Sequence, residues 1–161
     1  MHGPDVKADA TLPDTQVRSA RLRLLVAEDN PTNVKLMRIM LRGLGFECDV
    51  VETGREVLEA LRHGSYDLVF MDMCMPDMDG VEATRRVCSE WGEADRPRIV
   101  VVTAASIIAS RQACLDAGAD EILGKPASRT ELQQAIERCS AELARIDALA
   151  VARRAHRSTT G

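Results

Sequence analysis

The chain has 161 residues, of which 45% are hydrophobic and 29% are charged, a balance typical of a globular protein and not of a disordered one. Its length suits one domain with a core of its own and is too short for two of ordinary size. The formal net charge of −4 argues against direct nucleic-acid binding, because surfaces that bind phosphate backbones need clustered Lys and Arg.

The cysteine pattern predicts free thiols in the reducing cytoplasm. The five cysteines are odd in number, widely spaced and without a Cys-x-x-Cys pair, and the sequence opens without a signal peptide. The longest apolar run, Ile99 to Ala109, is about half as long as a membrane-crossing helix requires. We therefore expect no membrane span.

The chain is predicted to begin with a disordered tail over residues 1–20, because Asp, Pro, Thr and Ala occur there without apolar periodicity. Short segments rich in Val, Ile and Leu then predict five strands: Leu22–Ala27, Cys48–Val51, Leu68–Met71, Ile99–Thr103 and Glu121–Leu123. Helical periodicity lies between them, most clearly in an apolar stripe formed by Val34, Met37, Leu41 and Leu44.

Helix-start signals support this division. Asn30-Pro31 offers an N-cap followed by Pro at the first helical position. Three further pairs fit a capping box or imitate one: Thr53 with Glu56, Asp79 with Glu82, and Ser128 with Glu131. Nearly continuous apolar strands that alternate with helices indicate an α/β fold with a parallel sheet covered on both faces.

The last helix is longer than such a fold requires. Its apolar residues alternate four and three apart, in a seam formed by Leu132, Ile136, Cys139, Leu143 and Ile146. We expect a folded domain over residues 21–140 and a helical extension with a basic, disordered tail over residues 141–161. The extension is either a single docked helix or a linker or homodimer helix.

Polar residues follow the apolar strands at their carboxyl ends, where open parallel sheets bind ligands. They are Glu28, Asp29, Asp72, Thr103 and Lys125. Three carboxylates in one cleft repel each other, and oxygen-only ligands of this kind suit Mg²⁺. A hydroxyl and an ammonium group opposite the metal would contact a phosphoryl group, for which a carboxylate can be the nucleophile.

The motifs "VAEDN", "DLVFMDMCMPDMDGVEATR", "VVTA" and "GKP" resemble the receiver domain of two-component response regulators over roughly Leu22 to Ser140. The resemblance implies a doubly wound, flavodoxin-like sheet of five parallel strands in the order 2-1-3-4-5. "EDNPTN" and "MDGVEATRR" are more similar to receivers of hybrid histidine kinases and phosphorelays than to those of transcription factors.

The resemblance implies that Asp72 accepts a phosphoryl group from a histidine kinase or histidine phosphotransfer protein and thereby switches partner binding. The implied magnesium ligands are Glu28, Asp29, Asp72 and the backbone carbonyl of Cys74. Thr103 and Lys125 would contact the phosphoryl group, and Lys125-Pro126 would be a cis peptide. The protein would be no independent enzyme, because it would catalyse only its own phosphorylation and dephosphorylation.

One departure from the family concerns the switch. The family commonly has Tyr or Phe three residues before the lysine, where this chain has Ile122, so signalling by aromatic rotation is in doubt. The residues expected at the switch and partner face are Ala104, Ile107, Ile108, Ile122 and Pro126. The isoleucines after Thr103 either pack under the fourth helix or form a partner-binding patch.

Other functions fit these motifs less well. A pseudo-receiver that binds partners without phosphorylation is the main alternative. A haloacid-dehalogenase-type phosphatase would need Asp at position 74, where the chain has Cys74, and "GLGF" lacks the strand and third glycine of a dinucleotide site. The sequence identifies neither the kinase nor the downstream target, and it leaves open whether the receiver stands alone or belongs to a larger kinase.

Overall fold

The computed structural model describes the backbone of residues 22–104 and 108–158, and the side chains of residues 22–104 and 111–156. The predicted tail over residues 1–20 lies outside the described residues, as do Ser106, Ile107 and the side chain of Ile108.

Five strands and five helices alternate along the described chain. The strands are β1 (Leu24–Ala27), β2 (Cys48–Val51), β3 (Leu68–Asp72), β4 (Arg98–Ala104) and β5 (Glu121–Lys125). The helices are α1 (Pro31–Gly43), α2 (Gly54–His63), α3 (Gly80–Glu90), α4 (Ile108–Asp116) and α5 (Arg129–Ser158). All strand pairs are parallel and the order is β2-β1-β3-β4-β5, which confirms the predicted fold class.

Two apolar layers cover the sheet. On one face α2, α3 and α4 contribute Val57, Val87 and Cys114 to a buried cluster. On the other face α1 and α5 contribute Leu41 and Ile136. Side chains alternate along a strand, so each central strand supplies both layers, and the strands are apolar almost throughout.

The strands differ from the predicted ones at their ends. β4 begins at Arg98 and ends at Ala104, and β5 continues to Lys125, because Ala104 pairs with Lys125 across the ladder. A strand predicted from apolar residues stops at the first polar side chain. The backbone hydrogen bonds of a ladder do not depend on side-chain polarity, so β5 is longer than its apolar run.

The predicted helix starts are confirmed. Asn30 accepts from the backbone N–H groups of Thr32 and Asn33, with Pro31 at the first position. Thr53 and Asp79 likewise cap α2 and α3. Each cap satisfies a donor that the helix itself leaves without a partner.

The last helix, α5, runs for 30 residues to Ser158. The expectation of a disordered basic end was wrong for residues 152–158, which are helical. Alanines at positions 148, 150, 152 and 155 explain this, because Ala has the highest helix propensity. Among the helices within residues 22–104 and 108–158, none has an apolar run that could cross a bilayer.

Candidate functional site

Three carboxylates meet at the carboxyl edge of the sheet. Glu28 and Asp29 follow β1, and Asp72 is the last residue of β3. One oxygen from each lies within 4.8 Å of the others. Glu28 and Asp72 are 6% and 7% exposed, whereas Asp29 faces solvent, so the cluster is buried on one side and open on the other.

Lys125 supplies the positive charge of this cluster. It ends β5, and its Nζ lies 2.6 Å from Glu28 Oε2 and 3.0 Å from Asp72 Oδ1. The backbone N–H of Asn30 donates a further bond to Glu28 Oε1, at 3.0 Å. Glu28 is thereby held from two sides, while Asp72 Oδ1 also accepts a long 3.3 Å bond from the N–H of Cys74.

The pKa values of the two buried carboxyl groups are shifted in opposite directions. Burial raises the pKa of Asp72 above its ordinary value, the charge of Glu28 raises it further, and Lys125 offsets only part of this. Burial also acts to raise the pKa of Glu28, but hydrogen bonds from Lys125 and Asn30 outweigh it and lower the pKa. Burial disfavours the charged form of Lys125, yet its two carboxylate partners raise its pKa overall. The lysine therefore carries its charge in this cleft.

The loop between β3 and α3 folds back against the strand end. The N–H of Gly80 donates to the carbonyl of Met73 at 2.9 Å. The side chain of Asp79 caps α3 by accepting a hydrogen bond from the backbone N–H of Glu82. A Cβ at position 80 would lie 2.1 Å from the carbonyl oxygen of Asp72. Only glycine allows this approach, so the local fold requires glycine at position 80.

Thr103 lies near Asp72, because β4 pairs with β3 and Asp72 is opposite Val102, the residue before Thr103. Thr103 is 4% exposed, and its hydroxyl donates to Met73 Sδ at 3.7 Å. A thioether is a weak acceptor, so little is lost if the hydroxyl turns toward another oxygen. The neighbouring Ala104 is exposed, with no side chain that could cover the cleft.

The other residues expected at the switch face are only partly described. Ile122 is half-buried and packs against the cluster beneath α2, α3 and α4. Pro126 is exposed, and the Lys125-Pro126 peptide is cis as the resemblance implies. Ile107 and the side chain of Ile108 lie outside the described residues, so the alternatives for these isoleucines stay open.

The donor set fits a hard divalent cation. Carboxylate oxygens are the ligands that Mg²⁺ prefers, and it uses few of them while retaining waters. Burial and mutual repulsion disfavour ionised Asp72 and Glu28 together, which a cation relieves. Within residues 22–104 and 111–156 this is the one group of three His, Cys, Asp or Glu side chains close enough to share an ion.

An apolar cavity of about 270 Å³ adjoins the cluster, and sequence reasoning missed it. It is lined by Met37 and Met40 of α1, by Phe70 and Val102 from the sheet, and by Asp72 and Lys125 of the cluster. The sequence places Met37 only on the apolar stripe of a helix. The sequence does not distinguish a core residue from one that lines a cavity, because the difference depends on how α1 packs on the sheet.

Comparison with known proteins identifies the family. The family model described as "Response regulator receiver domain" matches residues 24–137. The chain is 34% identical to aerobic respiration control sensor protein ArcB of Escherichia coli (strain K12) over 86% of its length, and 36% identical to sensor protein GacS of Pseudomonas syringae pv. syringae over 81%. It spans 18% and 14% of these two relatives.

Solved structures agree with this assignment. The receiver domain of sensor histidine kinase PA1611 from Pseudomonas aeruginosa PAO1, solved with a magnesium ion coordinated in its active site cleft, is 33% identical with a TM-score of 0.68. The alignment covers 74% of this chain and 98% of that one. The signal receiver domain of a histidine kinase from Syntrophus aciditrophicus is 26% identical, also with a TM-score of 0.68, over 74% and 90% of the two chains. The chain therefore belongs to the response regulator receiver domain family of two-component and phosphorelay systems.

Proposed function

We propose that Asp72 accepts a phosphoryl group from a phosphohistidine in a magnesium-dependent reaction and that the resulting aspartyl phosphate switches partner binding. The observation that carries the proposal is the convergence of Glu28, Asp29 and Asp72 within 4.8 Å, with Lys125 at 3.0 Å from Asp72. Such a cleft provides positioning and charge neutralisation, which phosphoryl transfer needs more than covalent assistance.

Each residue has one part in this reaction. An oxygen of Asp72 attacks phosphorus while the phosphorus–nitrogen bond of the donor breaks, and the histidine leaves with the electron pair of that bond. Lys125 and the hydroxyl of Thr103 then contact the new phosphoryl oxygens. Glu28, Asp29, Asp72 and the carbonyl of Cys74 would hold Mg²⁺, which when bound supplies positive charge against the carboxylates and the phosphoryl group.

The proposed donor is a histidine kinase or histidine phosphotransfer protein. Leu36 and Ile39 on α1 are 45% and 60% exposed, and Leu36 borders the cavity beside Asp72. An exposed apolar patch this close to the acceptor suits a protein donor that docks on α1. The free state of all five cysteines supports a cytoplasmic setting, and we propose one unidentified downstream protein as the target.

The test is intact-mass spectrometry after incubation with acetyl phosphate, with and without Mg²⁺. We expect one phosphate mass increment that requires Mg²⁺ and is absent in Asp72→Asn. Asp77→Asn is the matched control, because Asp77 is an exposed carboxylate of the same loop at φ 64, a conformation that Asn tolerates. Loss of the increment in both variants, or in neither, would contradict the assignment of Asp72.

A phosphorylation-independent pseudo-receiver is the second candidate. Ile122, half-buried where the family commonly has an aromatic switch, favours it. It predicts no mass increment with any donor and partner binding that is the same for wild type and Asp72→Asn. A release assay with phosphate esters addresses the enzyme class separately, since we expect no sustained turnover.

A further inference from the structure

The distal part of α5 carries an apolar surface that the rest of the described chain leaves uncovered. Ile146 and Leu149, which are 40% and 50% exposed, lie three residues apart on one face of the helix, whereas Val151, which is 67% exposed, lies on the opposite face. Every residue from Ala148 to His156 is exposed. A helical segment of this length is marginal in water without packing, so a covering partner would stabilise it.

An acid-lined groove of about 310 Å³ lies where α5 leaves the domain, at the opposite end of the sheet from Asp72. Its carboxylates are those of Asp67, Glu93, Asp95, Asp120 and Glu142, and its guanidinium groups are those of Arg96 and Arg98. Both guanidinium groups are already paired, Arg96 with Asp120 at 2.7 Å and Arg98 with Glu142 at 2.8 Å. Exposed Glu93 and Asp95 therefore leave the groove negatively charged.

The charge at the distal end of α5 is of the opposite sign. Arg153 and Arg154 are exposed, and no Asp or Glu follows Asp147 in the sequence. Arg153 lies about 10 Å beyond Ile146, which lines the groove. A straight helix therefore carries these arginines away from the groove of their own copy.

We propose that the segment from Ile146 to Arg153 pairs antiparallel with the same segment of a second copy. With the twofold axis between Leu149 and Ala150, Arg153 of each copy lies opposite Ile146 of the other and beside its acidic groove. A parallel pair would place the arginines of both copies side by side, which costs free energy. The antiparallel pair is isologous and closed, as in most homodimers.

The proposed contact buries less surface than a standard interface, which buries about 800 Å² per partner. We therefore expect a concentration-dependent dimer that weakens with added salt, because its charge pairs lie near the surface. Sedimentation velocity of the full chain over rising concentration measures this. Leu149→Glu should weaken dimerisation at least tenfold, and Leu115→Glu, which changes a residue of α4 that is 48% exposed, should leave it unchanged.

Charge reversal tests the antiparallel arrangement itself. The variant Arg153→Glu/Arg154→Glu and the variant Glu93→Arg/Asp95→Arg should each be monomeric. In each variant the end of α5 and the groove that it meets carry charges of the same sign. Mixed together they should form heterodimers, because each end then meets a groove of opposite charge. Circular dichroism confirms that every variant is folded.

Matched controls separate this proposal from the proposed phosphoryl chemistry. Arg85→Glu/Arg86→Glu makes the same charge change at two exposed positions of α3 and should keep the dimer, as should Asp72→Asn. A wild type that is monomeric at all concentrations, a Leu149→Glu variant that still dimerises, or a mixture that stays monomeric would each overturn the proposal.

Discussion

Removal of the Lys125 charge should destabilise the magnesium-free protein. Lys125→Met keeps the length of the side chain and removes the ammonium group that lies 2.6 Å from Glu28 and 3.0 Å from Asp72. The two carboxylate side chains are 7% and 8% exposed. They would then face each other with little water and no counter-charge.

The size of the loss lies between two limits. Breaking a fully buried ion pair by removing one partner costs about 3–5 kcal/mol, and an exposed pair is worth less than about 1 kcal/mol. The cleft is open on the side of Asp29, and Asp72, whose pKa burial already raises, can relieve the repulsion by taking up a proton. We expect about 2 kcal/mol at pH 7, which lowers the melting temperature by about 7 °C for a domain of this size.

Thermal unfolding in a chelator, and then in saturating Mg²⁺, is the assay. A cation that binds only the folded state stabilises it, so the rise in melting temperature on adding Mg²⁺ should be larger in Lys125→Met than in wild type. Arg42→Met is the control, because it breaks an exposed pair with Glu47 at 3.1 Å and should cost less than about 1 kcal/mol. Equal losses in both variants would refute the reasoning.

Three further perturbations have defined outcomes. In chelator, Asp72→Asn should become more stable relative to wild type as pH rises above the ordinary carboxyl pKa of 3.8, because only the wild type must ionise a buried carboxyl group. This gain should level off above the raised pKa of Asp72 in the folded protein. A difference in stability between the two proteins that does not change with pH, measured by urea unfolding, would contradict this. Gly80→Ala should cost about 2 kcal/mol or more and weaken Mg²⁺ binding, since its Cβ would press on the Asp72 carbonyl; calorimetry that finds both unchanged would count against the loop geometry. Asp120→Ala should cost about 2 kcal/mol in denaturant unfolding, because Arg96 and the N–H of Ile99 both lose an acceptor, and an unchanged midpoint would show that neither bond matters.

Most of the sheet could be predicted from the sequence, since buried parallel strands are read directly from short runs of Val, Ile and Leu. The polar residues at the strand ends could be predicted equally well. A carboxylate at the end of an apolar strand is often only a turn residue, but Glu28, Asp72 and Lys125 each stand at the carboxyl end of a different strand. Parallel strands bring those ends to one edge, and the structure places them in contact.

What the sequence left out depends on tertiary contacts. The need for glycine at position 80 comes from its approach to the Asp72 backbone. The bond from Thr103 to Met73 and the cavity beside Met37 depend on side-chain packing. The basic, polar composition at the end of α5 predicts disorder, whereas its alanines favour a helix that continues to Ser158.

The central claim, that Asp72 is the phosphoacceptor, is tested most directly by chemical trapping. Borohydride reduces an acyl phosphate to an alcohol and so converts a phosphorylated aspartate into homoserine. After incubation with a phosphohistidine donor and Mg²⁺, peptide sequencing by mass spectrometry should find homoserine at position 72. Homoserine at another carboxylate, such as Asp77 or Asp29, or at no position, would contradict the account.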